Sequence, residues 1–554
     1  MSSTDQIIWR NLSIGSPDAE ADNLLSSCFI DNGCLSLVRN VDDHASIVLG
    51  RTGQGKSAVL IRLLDVEPNA IEIKPLELAF RFVENSTVIR FFEDAGVNLN
   101  LFYRLLWRHV LVTELIKRRY NLNDQNGLSR WLDSFLGKLK PDSAKSNAIL
   151  YLRRWGENFW QETETRLTEI TKKIECELSS SLEAPLLAKM KLGSADKLSD
   201  AERREVFSRG SAVVNRIQIA DLNRVMQLLS EEAFYDRQNR YYIAIDSLDE
   251  DWVSTSAKYR LIRALIEEVR TFRSELKHAK IIVALRYDLI EKVFNETRDG
   301  GFQEEKYETY YARIEWTRQD LQELLRRRVN EVFRRKYTSA EIKLEDIFPK
   351  SRGDVTPYEY IIERTMSRPR DVIAYANECF LVAANRPRVS WQAITDAELN
   401  YSRKRKNALA DEWLNTLPSV NVVIDILRGM PETFSRSTLT ESAVESIVTQ
   451  LATFEREDDL VRMCKSALEP RSTVTNAQLL TAMIQVLYHI GAIGVKFSTD
   501  SPFIWSFRDQ QALSSGEGKR VQSIKVHKML WRALEIRTGN IYGSDHKASR
   551  SPRR

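Results

Sequence analysis

Short apolar runs alternate with helix-length amphipathic segments near the start of the chain and again after residue 238. The strand-like runs cover 45–49, 70–73, 241–245, 280–286 and 310–316. Apolar residues at helical spacing separate these runs, and this alternation predicts a parallel α/β sheet. Ligands of such sheets bind at the carboxyl ends of the strands, so the residues just after each run are candidate functional residues.

Two further regions show helical periodicity. Residues 86–238 begin with apolar residues at helical spacing, from Val88 to Val110, and the later series from Leu167 to Leu178 predicts an antiparallel helical hairpin. Beyond Trp316 the chain is predicted to be mostly helical. A helix over 476–490, closed by Gly491, leads into strand-like runs at 492–497 and 503–507, a succession typical of a winged-helix module.

The predicted fold class is α/β: a P-loop NTPase parallel sheet with a large helical insertion, a helical lid and a C-terminal winged-helix-like domain. The predicted parts, in chain order, are an N-terminal arm packed on the nucleotide domain (1–40), the ATPase core (41–85 and 239–320), the insertion (86–238), the lid (321–410), the winged-helix-like domain (411–540) and a disordered basic tail (541–554).

A complete G-x-x-x-x-G-K-S sequence follows the first apolar run. Its residues are Gly50, Arg51, Thr52, Gly53, Gln54, Gly55, Lys56 and Ser57, and Ala58 continues into a helix-forming stretch. In a phosphate-binding loop the glycines let backbone N–H groups wrap a phosphate, the lysine reaches the β/γ-phosphates and the serine hydroxyl holds Mg²⁺. The alternative, a simple glycine turn, is disfavoured by the strand-then-helix setting. The loop predicts a site for a nucleoside triphosphate with Mg²⁺.

Three carboxylates follow the buried run at 241–245. Asp246 comes directly after it, and Asp249 and Glu250 come shortly afterwards. Hydrolysis of ATP requires a metal, a polarised water and positive charge near the γ-phosphoryl oxygens. We expect Asp246 to hold Mg²⁺ and Glu250, with Asp249 as the second choice, to orient or deprotonate the attacking water. Without the phosphate loop, the same residues would indicate an ordinary solvated loop.

Two arginines are candidates for contact with the phosphates. Arg286 ends an apolar run, where a charge requires a partner: either a γ-phosphate or a carboxylate in a structural ion pair. Arg370 lies in the segment Arg368-Pro369-Arg370-Asp371, which opens a predicted helix. Guanidinium groups there could reach back toward the nucleotide, or the segment could be a solvated helix start with Pro369 in its first turn.

Composition limits the classes of function that remain possible. The chain has 554 residues, 43% of them hydrophobic and 29% charged, and its net charge of +4 is too even to imply nucleic acid by itself. Its five cysteines form no metal-binding pattern, and Cys28 and Cys34 are expected to be buried thiols. No apolar run is long enough to cross a membrane and no signal-peptide core begins the chain, so we expect a cytoplasmic protein without membrane association.

Basic residues cluster at 326–328, 334–336 and 403–406 on predicted helices. Solvated helix faces are the simpler interpretation, and DNA or RNA phosphates are the alternative. The run Phe503-Ile504-Trp505-Ser506-Phe507 is more apolar than a wing that contacts phosphates should be. This favours protein packing for the winged-helix-like domain.

Several segments carry a family resemblance. The loop, I-D-S-L-D-E-D-W at 245–252 and A-L-R-Y-D-L-I at 284–290 resemble P-loop ATPases of the ASCE division, nearest to the STAND, KAP and ORC-type groups. The resemblance implies that S-R-P-R-D at 367–371 is the sensor-two element of the lid. The segments I-G-S-P-D-A-E, F-Y-R-L-L-W-R and H-K-M-L-W-R-A-L also resemble a bacterial ATPase family linked to phage defence and mobile elements. The long insertion departs from the common pattern and is a candidate specificity module.

Three functions are compatible with these residues. The first is an ATP-dependent regulatory switch, working as a homo-oligomer with a protein effector or a phage-derived trigger, in anti-phage defence or a mobile-element pathway. The second is a DNA-binding loader or motor ATPase, and the third is a scaffold that binds nucleotide with little hydrolysis. ATP is favoured over GTP because no N-K-x-D guanine-reading motif follows the third strand.

Overall fold

The computed structural model describes residues 8–78, 98–121, 144–155, 238–298, 303–337, 340–509 and 512–539, with residues 89, 223, 226–227, 229–234 and 236. These residues form two compact units. The sheet unit holds the described residues of 31–51 and 55–315, and the helical unit holds those of 1–30, 52–54 and 316–554. Two sequence predictions, the hairpin from Leu167 to Leu178 and the tail at 541–554, lie outside the described residues.

Five parallel strands form the centre of the sheet unit, as the alternation of runs predicts. They are β1 (Ile47–Leu49), β2 (Ala70–Ile73), β3 (Tyr241–Ile245), β4 (Ala279–Leu285) and β5 (Tyr311–Arg313), in the order β2-β3-β4-β1-β5. Every residue of β1, β3 and β4 is buried. Strands covered on both faces read as continuous apolar runs rather than alternating ones, which is why the sequence revealed them.

The described part of the predicted insertion packs into the sheet unit. The helices of this unit are Cys34–Arg39, Lys56–Val66, Asn100–Tyr120, Ala144–Trp155, Thr255–Glu275 and Tyr287–Glu296. In the third of these, Trp107 is fully buried and its indole N–H donates to the carbonyl of Leu261 at 2.8 Å. Its ring meets Trp252 edge-on, with 6.3 Å between the ring centres. This helix therefore belongs to the core of the sheet unit.

The residues of the predicted N-terminal arm fall in both units. Its last residues belong to the sheet unit, where the buried Lys280 donates to two of their backbone carbonyls at 2.7 and 3.4 Å. Residues 8–30 belong to the helical unit, and Arg328 pairs there with Asp22. The apolar residues Ile8, Leu12 and Ile14 are buried in the core of the helical unit, so this part of the arm contributes to that core although most of its residues are polar.

The helical unit combines many helices with a small antiparallel sheet. Its helices are Leu25–Cys28, Arg318–Tyr337, Leu344–Ile347, Pro357–Ile362, Pro369–Val382, Trp391–Trp413, Val420–Val423, Glu441–Leu451, Asp459–Ala467, Asn476–His489, Ser506–Asp509 and Ser515–Arg520. The strands β6 (Thr433–Ser435), β7 (Ile493–Lys496) and β8 (Ser523–Val526) pair in the order β6-β8-β7.

The small sheet corrects the predicted hairpin between 492–497 and 503–507. Strand β7 pairs with β8, and the second predicted strand contributes only a bridge from Ile504 to Val495 before a short helix begins. The indole of Trp505 lies against Gly494 so closely that a Cβ there would be 2.6 Å from the ring. The preceding helix ends at His489, and Gly491 is left-handed (φ +82°), as its sequence predicts.

The cysteines of the described residues are buried free thiols, namely Cys28, Cys34, Cys379 and Cys464. The prediction for Cys28 and Cys34 is confirmed, and burial raises the pKa of Cys34 to about 12, so this thiol is held in its inert protonated form. Across the described ranges, none of the helices combines the length and the apolar character that crossing a membrane requires.

Acid is expected to destabilise the helical unit through His527. Burial lowers the pKa of this imidazole to about 3, from an ordinary value of 6.5, while the unfolded chain binds a proton near 6.5. Its contribution to stability is therefore present above pH 6.5 and is lost as the pH falls toward 3. We expect the free energy of unfolding to fall by up to about 1.4 kcal/mol per pH unit from this residue, measured by urea titration.

The matched variants are His527→Asn and His44→Asn. Asparagine at 527 keeps an acceptor for the Met529 N–H, which donates to the His527 Nδ1 at 3.1 Å, but it does not titrate. His44 is exposed. The dependence of the free energy of unfolding on pH should become weaker in His527→Asn and should stay unchanged in His44→Asn. A slope that is unchanged in His527→Asn would refute the assignment.

Candidate nucleotide-binding site

The phosphate loop begins at the carboxyl end of β1 and ends in a helix, as predicted. Gly53 and Gly55 adopt left-handed backbone conformations, with φ of 79° and 98°. Side chains with a Cβ rarely adopt these angles, so the two positions require glycine. Gly55 is the N-cap of helix Lys56–Val66, which places Ser57 and Ala58 in its first turn. The loop therefore ends at a helix N-terminus, the arrangement that favours phosphate.

Lys56 extends back across the loop. Its ammonium donates to the carbonyl of Arg51 at 3.3 Å, and Gly50, just before, donates its N–H to the carbonyl of Leu285 in the neighbouring strand region at 3.3 Å. Burial lowers the pKa of Lys56, and the negative charges of Asp249 and Asp246 oppose this shift. Lys56, the predicted phosphate ligand, therefore lies in the electrostatic field of Asp246 and Asp249, the carboxylates predicted for metal and water.

Asp246 follows β3 at a strained point of the backbone. The next residue, Ser247, has φ +59°, and its N–H donates to the Asp246 Oδ1 at 2.8 Å. A non-glycine residue in this region costs energy and is held only where the surroundings impose it, often at functional sites. The turn closes when the Glu250 N–H donates to the Ser247 carbonyl at 3.2 Å. The strained turn fixes where the Asp246 carboxylate lies relative to the strand end.

Arg286 already has carboxylate partners within the sheet unit. Its Nε and Nη2 donate to Asp288 at 3.0 and 2.8 Å, and its Nη1 lies 3.5 Å from the Asp249 Oδ2. The ion-pair alternative for this arginine is therefore present in the structure. A γ-phosphate contact would require the guanidinium to exchange one of these partners.

Sheet order brings these side chains to one edge. Strand β4 lies between β1 and β3, so the ends that carry the loop, Arg286 and Asp246 are adjacent. Asp249 joins them through its ion pair with Arg286, while the Glu250 side chain is exposed. The sheet unit thus assembles most of the residues that the sequence predicted for phosphate, metal and water.

A Mg²⁺ ion fits the donors at this edge. Among the described residues, no group of three or more His, Cys, Asp or Glu side chains could hold a metal. Mg²⁺ in phosphate-transfer sites keeps several waters and is bound by one or two protein oxygens together with the phosphates. The Ser57 hydroxyl and the Asp246 carboxylate suit that mode.

The loop residues 52–54 make their contacts within the helical unit. Arg368 donates to the carbonyl of Thr52 at 3.0 Å, and Trp316 donates its indole N–H to the carbonyl of Gln54 at 2.8 Å. Gly53 lies against Arg370, since a Cβ at 53 would be 2.9 Å from the Arg370 Cβ. The sequence analysis chose Arg370, which contacts this part of the loop through its backbone N–H and aliphatic chain. It missed Arg368 and Trp316 as loop contacts.

Arg368 belongs to a buried group of four charges. Its side chain is paired with Asp371 and Glu412 at 2.9 Å each, and Arg405 lies 3.4 Å from Asp371 and 3.5 Å from Glu412. Burial by itself would lower the pKa of Arg368, but the two carboxylates hold it above its usual value, and the two arginines hold the pKa of Asp371 below its usual range. Ser367, just before, has φ +52°. The sequence places an arginine on each side of Pro369 but does not show which of the two is buried.

Most residues of the basic clusters pair with protein carboxylates. Arg326 and Arg327 pair with Glu323, and the buried Arg328 pairs with Asp22. The other pairs are Arg334 and Arg335 with Glu331, Lys404 with Glu378, Arg405 with Asp371 and Lys406 with Asp425. These contacts favour ion-paired helix faces over a nucleic-acid surface for the three clusters.

Comparisons with known proteins show similarity to a family model, to a curated protein and to solved structures. A family model described as the FunZ-associated C-terminal helical domain matches residues 319–410. The chain is 23% identical over 541 residues to the putative transposon gamma-delta 80.3 kDa protein of Escherichia coli strain K12, covering 94% of this chain and 67% of that protein. It is also similar to the Walker-type ATPase PABY2304 of Pyrococcus abyssi, with 13% identity and a TM-score of 0.36 over 91% of this chain and 95% of the other.

Proposed function

We propose that this chain binds ATP with Mg²⁺ and hydrolyses it. The observation that carries the proposal is the phosphate loop, with left-handed glycines at 53 and 55, a helix that starts at Lys56, and the Lys56 ammonium in the field of Asp246 and Asp249. Backbone N–H groups, a lysine and a helix N-terminus together match the charge and shape of a triphosphate.

Each residue has a proposed role. Lys56 binds the β/γ-phosphates, and Ser57 and Asp246 hold Mg²⁺, which supplies charge neutralisation at the phosphate oxygens. Glu250 remains the preferred base, because both carboxylates are exposed to solvent water and Asp249 also pairs with Arg286. Asp249 then positions Arg286 at the edge of the site.

The biological setting is a further part of the proposal. The name of the Escherichia coli relative, a putative transposon protein, supports a role in a mobile-element pathway. We propose that the ATPase acts there as a regulatory switch, as a homo-oligomer that responds to a protein or phage-derived trigger. The contacts from Arg368 and Trp316 to the carbonyls of Thr52 and Gln54 support a switch, since they hold these loop residues by their backbone.

Lys56→Ala is expected to reduce phosphate release from ATP by about a hundredfold, because it removes a positive donor from the developing charge. The matched control is Lys74→Ala, an exposed lysine after β2 whose ion pair with Glu72 is 3.9 Å long. Phosphate release should remain near the wild-type value in this control. Equal hydrolysis by wild type and Lys56→Ala would reject the proposed function.

Glu250→Gln is expected to lower kcat for ATP by about a hundredfold with little change in ATP affinity, because it removes a proton acceptor and leaves the phosphate contacts intact. Asp249→Asn should have a smaller effect on kcat, since it alters the pairing of Arg286 rather than the acceptor. The measurement is single-turnover hydrolysis alongside equilibrium nucleotide binding. A larger kcat loss in Asp249→Asn would reverse the two assignments.

A further inference from the structure

A cavity of about 260 Å³ lies within the helical unit, beside β7 and β8. Its lining includes the aromatic side chains of Phe503, Trp505 and Phe507 and the cationic side chains of Arg508 and Lys525. Neither the phosphate loop nor the proposed hydrolysis uses any of these residues. The combination of rings and cations is unusual for a lining whose purpose is only to fill a fold.

The rings are held in fixed positions. Trp505 lies on the backbone of Gly494, where a Cβ would come within 2.6 Å of the indole. Its ring centre is 5.6 Å from that of Phe507 and 5.3 Å from that of His527, which it meets edge-on. Aromatic surface that is already ordered loses little conformational freedom when a ligand packs on it.

Cations surround these rings. The ammonium groups of Lys496 and Lys525 each lie 5.7 Å from the centre of the Phe503 ring, and the Arg508 guanidinium lies 5.6 Å from the centre of Phe507. None of the three cations forms an ion pair with a residue that the structure describes. The carboxylate in the lining, Glu363, is paired with Lys528. The cavity therefore presents positive charge without matching negative charge.

We propose that this cavity binds single-stranded nucleic acid. A base packs against the rings of Phe503 and Trp505, and the adjoining phosphates lie near Lys496, Lys525 and Arg508. Proteins that bind single strands without sequence preference combine stacking rings with cations along the backbone in this way. An acidic peptide would satisfy the cations and would leave the ordered rings without a flat partner.

The cations of the site come from separate segments of the chain. Lys496 ends β7, Lys525 lies within β8, and Arg508 lies in the short helix Ser506–Asp509. The apolar run at 503–507 therefore does not indicate protein packing alone, because its neighbours across the small sheet supply the charge. The proposal goes beyond the proposed ATPase function and does not depend on it.

The test measures binding of a fluorescently labelled oligothymidylate to the full chain by anisotropy, without added ATP. We expect Lys525→Glu and Phe503→Ala each to weaken binding by about tenfold, since each removes a phosphate contact or a stacked base. The control Lys519→Glu changes the same charge at an exposed position outside the lining and should shift affinity by less than about twofold. In Lys525→Glu, the slope of log affinity against log salt should fall by roughly 0.7.

Competitors distinguish the possible sources of the ligand chemistry. Unlabelled oligothymidylate should displace the probe, while thymidine monophosphate and polyglutamate should not do so at matched charge. Absence of binding at low salt, wild-type affinity in both cavity variants, or displacement by either of the other competitors would overturn the proposal. Thermal unfolding of each variant shows whether a loss of binding reflects a loss of fold. A negative result in this test would not affect the proposal of ATP hydrolysis at the phosphate loop, so the two proposals can be tested separately.

Discussion

Replacing Arg368 with alanine is expected to lower the free energy of unfolding of the helical unit by about 3–5 kcal/mol. The guanidinium is buried and pairs with Asp371 and Glu412 while donating to the carbonyl of Thr52. Its removal takes one of two arginines away from the buried carboxylates of Asp371 and Glu412. Breaking a buried ion pair from one side is far more costly than the pair is stabilising, because the remaining charge stays out of water.

The informative control is Arg370→Ala, two positions along the same helix. Arg370 is partly exposed, and its side chain donates to the carbonyl of Pro17 at 3.3 Å. Its loss should lower the free energy of unfolding by less than about 1 kcal/mol. Urea titration of the two variants measures the difference directly. Equal destabilisation by both would contradict the central place given to Arg368.

Glu268→Ala is expected to lower the free energy of unfolding of the sheet unit by about 3 kcal/mol. The buried carboxylate accepts from Arg104 and from Arg108, at 2.8 Å each, and so joins helix Asn100–Tyr120 to helix Thr255–Glu275. Both arginines keep some access to solvent, which places the expected loss at the lower end of the range for a broken buried pair.

The matched control for this prediction is Glu114→Ala on helix Asn100–Tyr120, the helix that carries Arg104 and Arg108. Glu114 pairs with Lys117 one turn away, and both side chains are about one-third exposed. Such pairs contribute about 0.5 kcal/mol or less. If Glu268→Ala is no more destabilising than Glu114→Ala, the two helices are joined by their apolar contacts, and the charge cluster contributes little.

Local signals revealed the sheet and the loop. Strand-like runs, which alternate at 70–73 and are more continuously apolar at 45–49, 241–245 and 280–286, predicted the parallel strands. The glycines at 53 and 55 predicted a phosphate-binding turn, and the structure shows both of them to be left-handed. These predictions succeeded because each depends on residues adjacent in sequence. The roles of Asp249, Glu250 and Arg286 remain predictions, although the structure brings Asp249 and Arg286 into contact.

Features that depend on distant residues could not be predicted. Nothing in Arg368-Pro369-Arg370 says which arginine is buried, since that is decided by Glu412 and Arg405 from another helix. The pairing of β7 with β8 likewise joins segments that are separated along the chain. The sequence predicted helix Asn100–Tyr120 as part of the insertion at 86–238 but did not show that it packs in the core of the sheet unit.

The hydrogen bonds to the carbonyls of Thr52 and Gln54 limit which fragments of this chain could be exchanged with those of another protein. Thr52 and Gln54 are matched to donors that lie 316 and 262 positions later in the sequence. A gene fragment that ended before Trp316 would encode the complete G-x-x-x-x-G-K-S motif without the groups that hold its middle in place. The motif could therefore not be moved into another protein by itself with these contacts kept. A chimera that replaced the later half of the chain would have to supply an arginine and a tryptophan at equivalent positions.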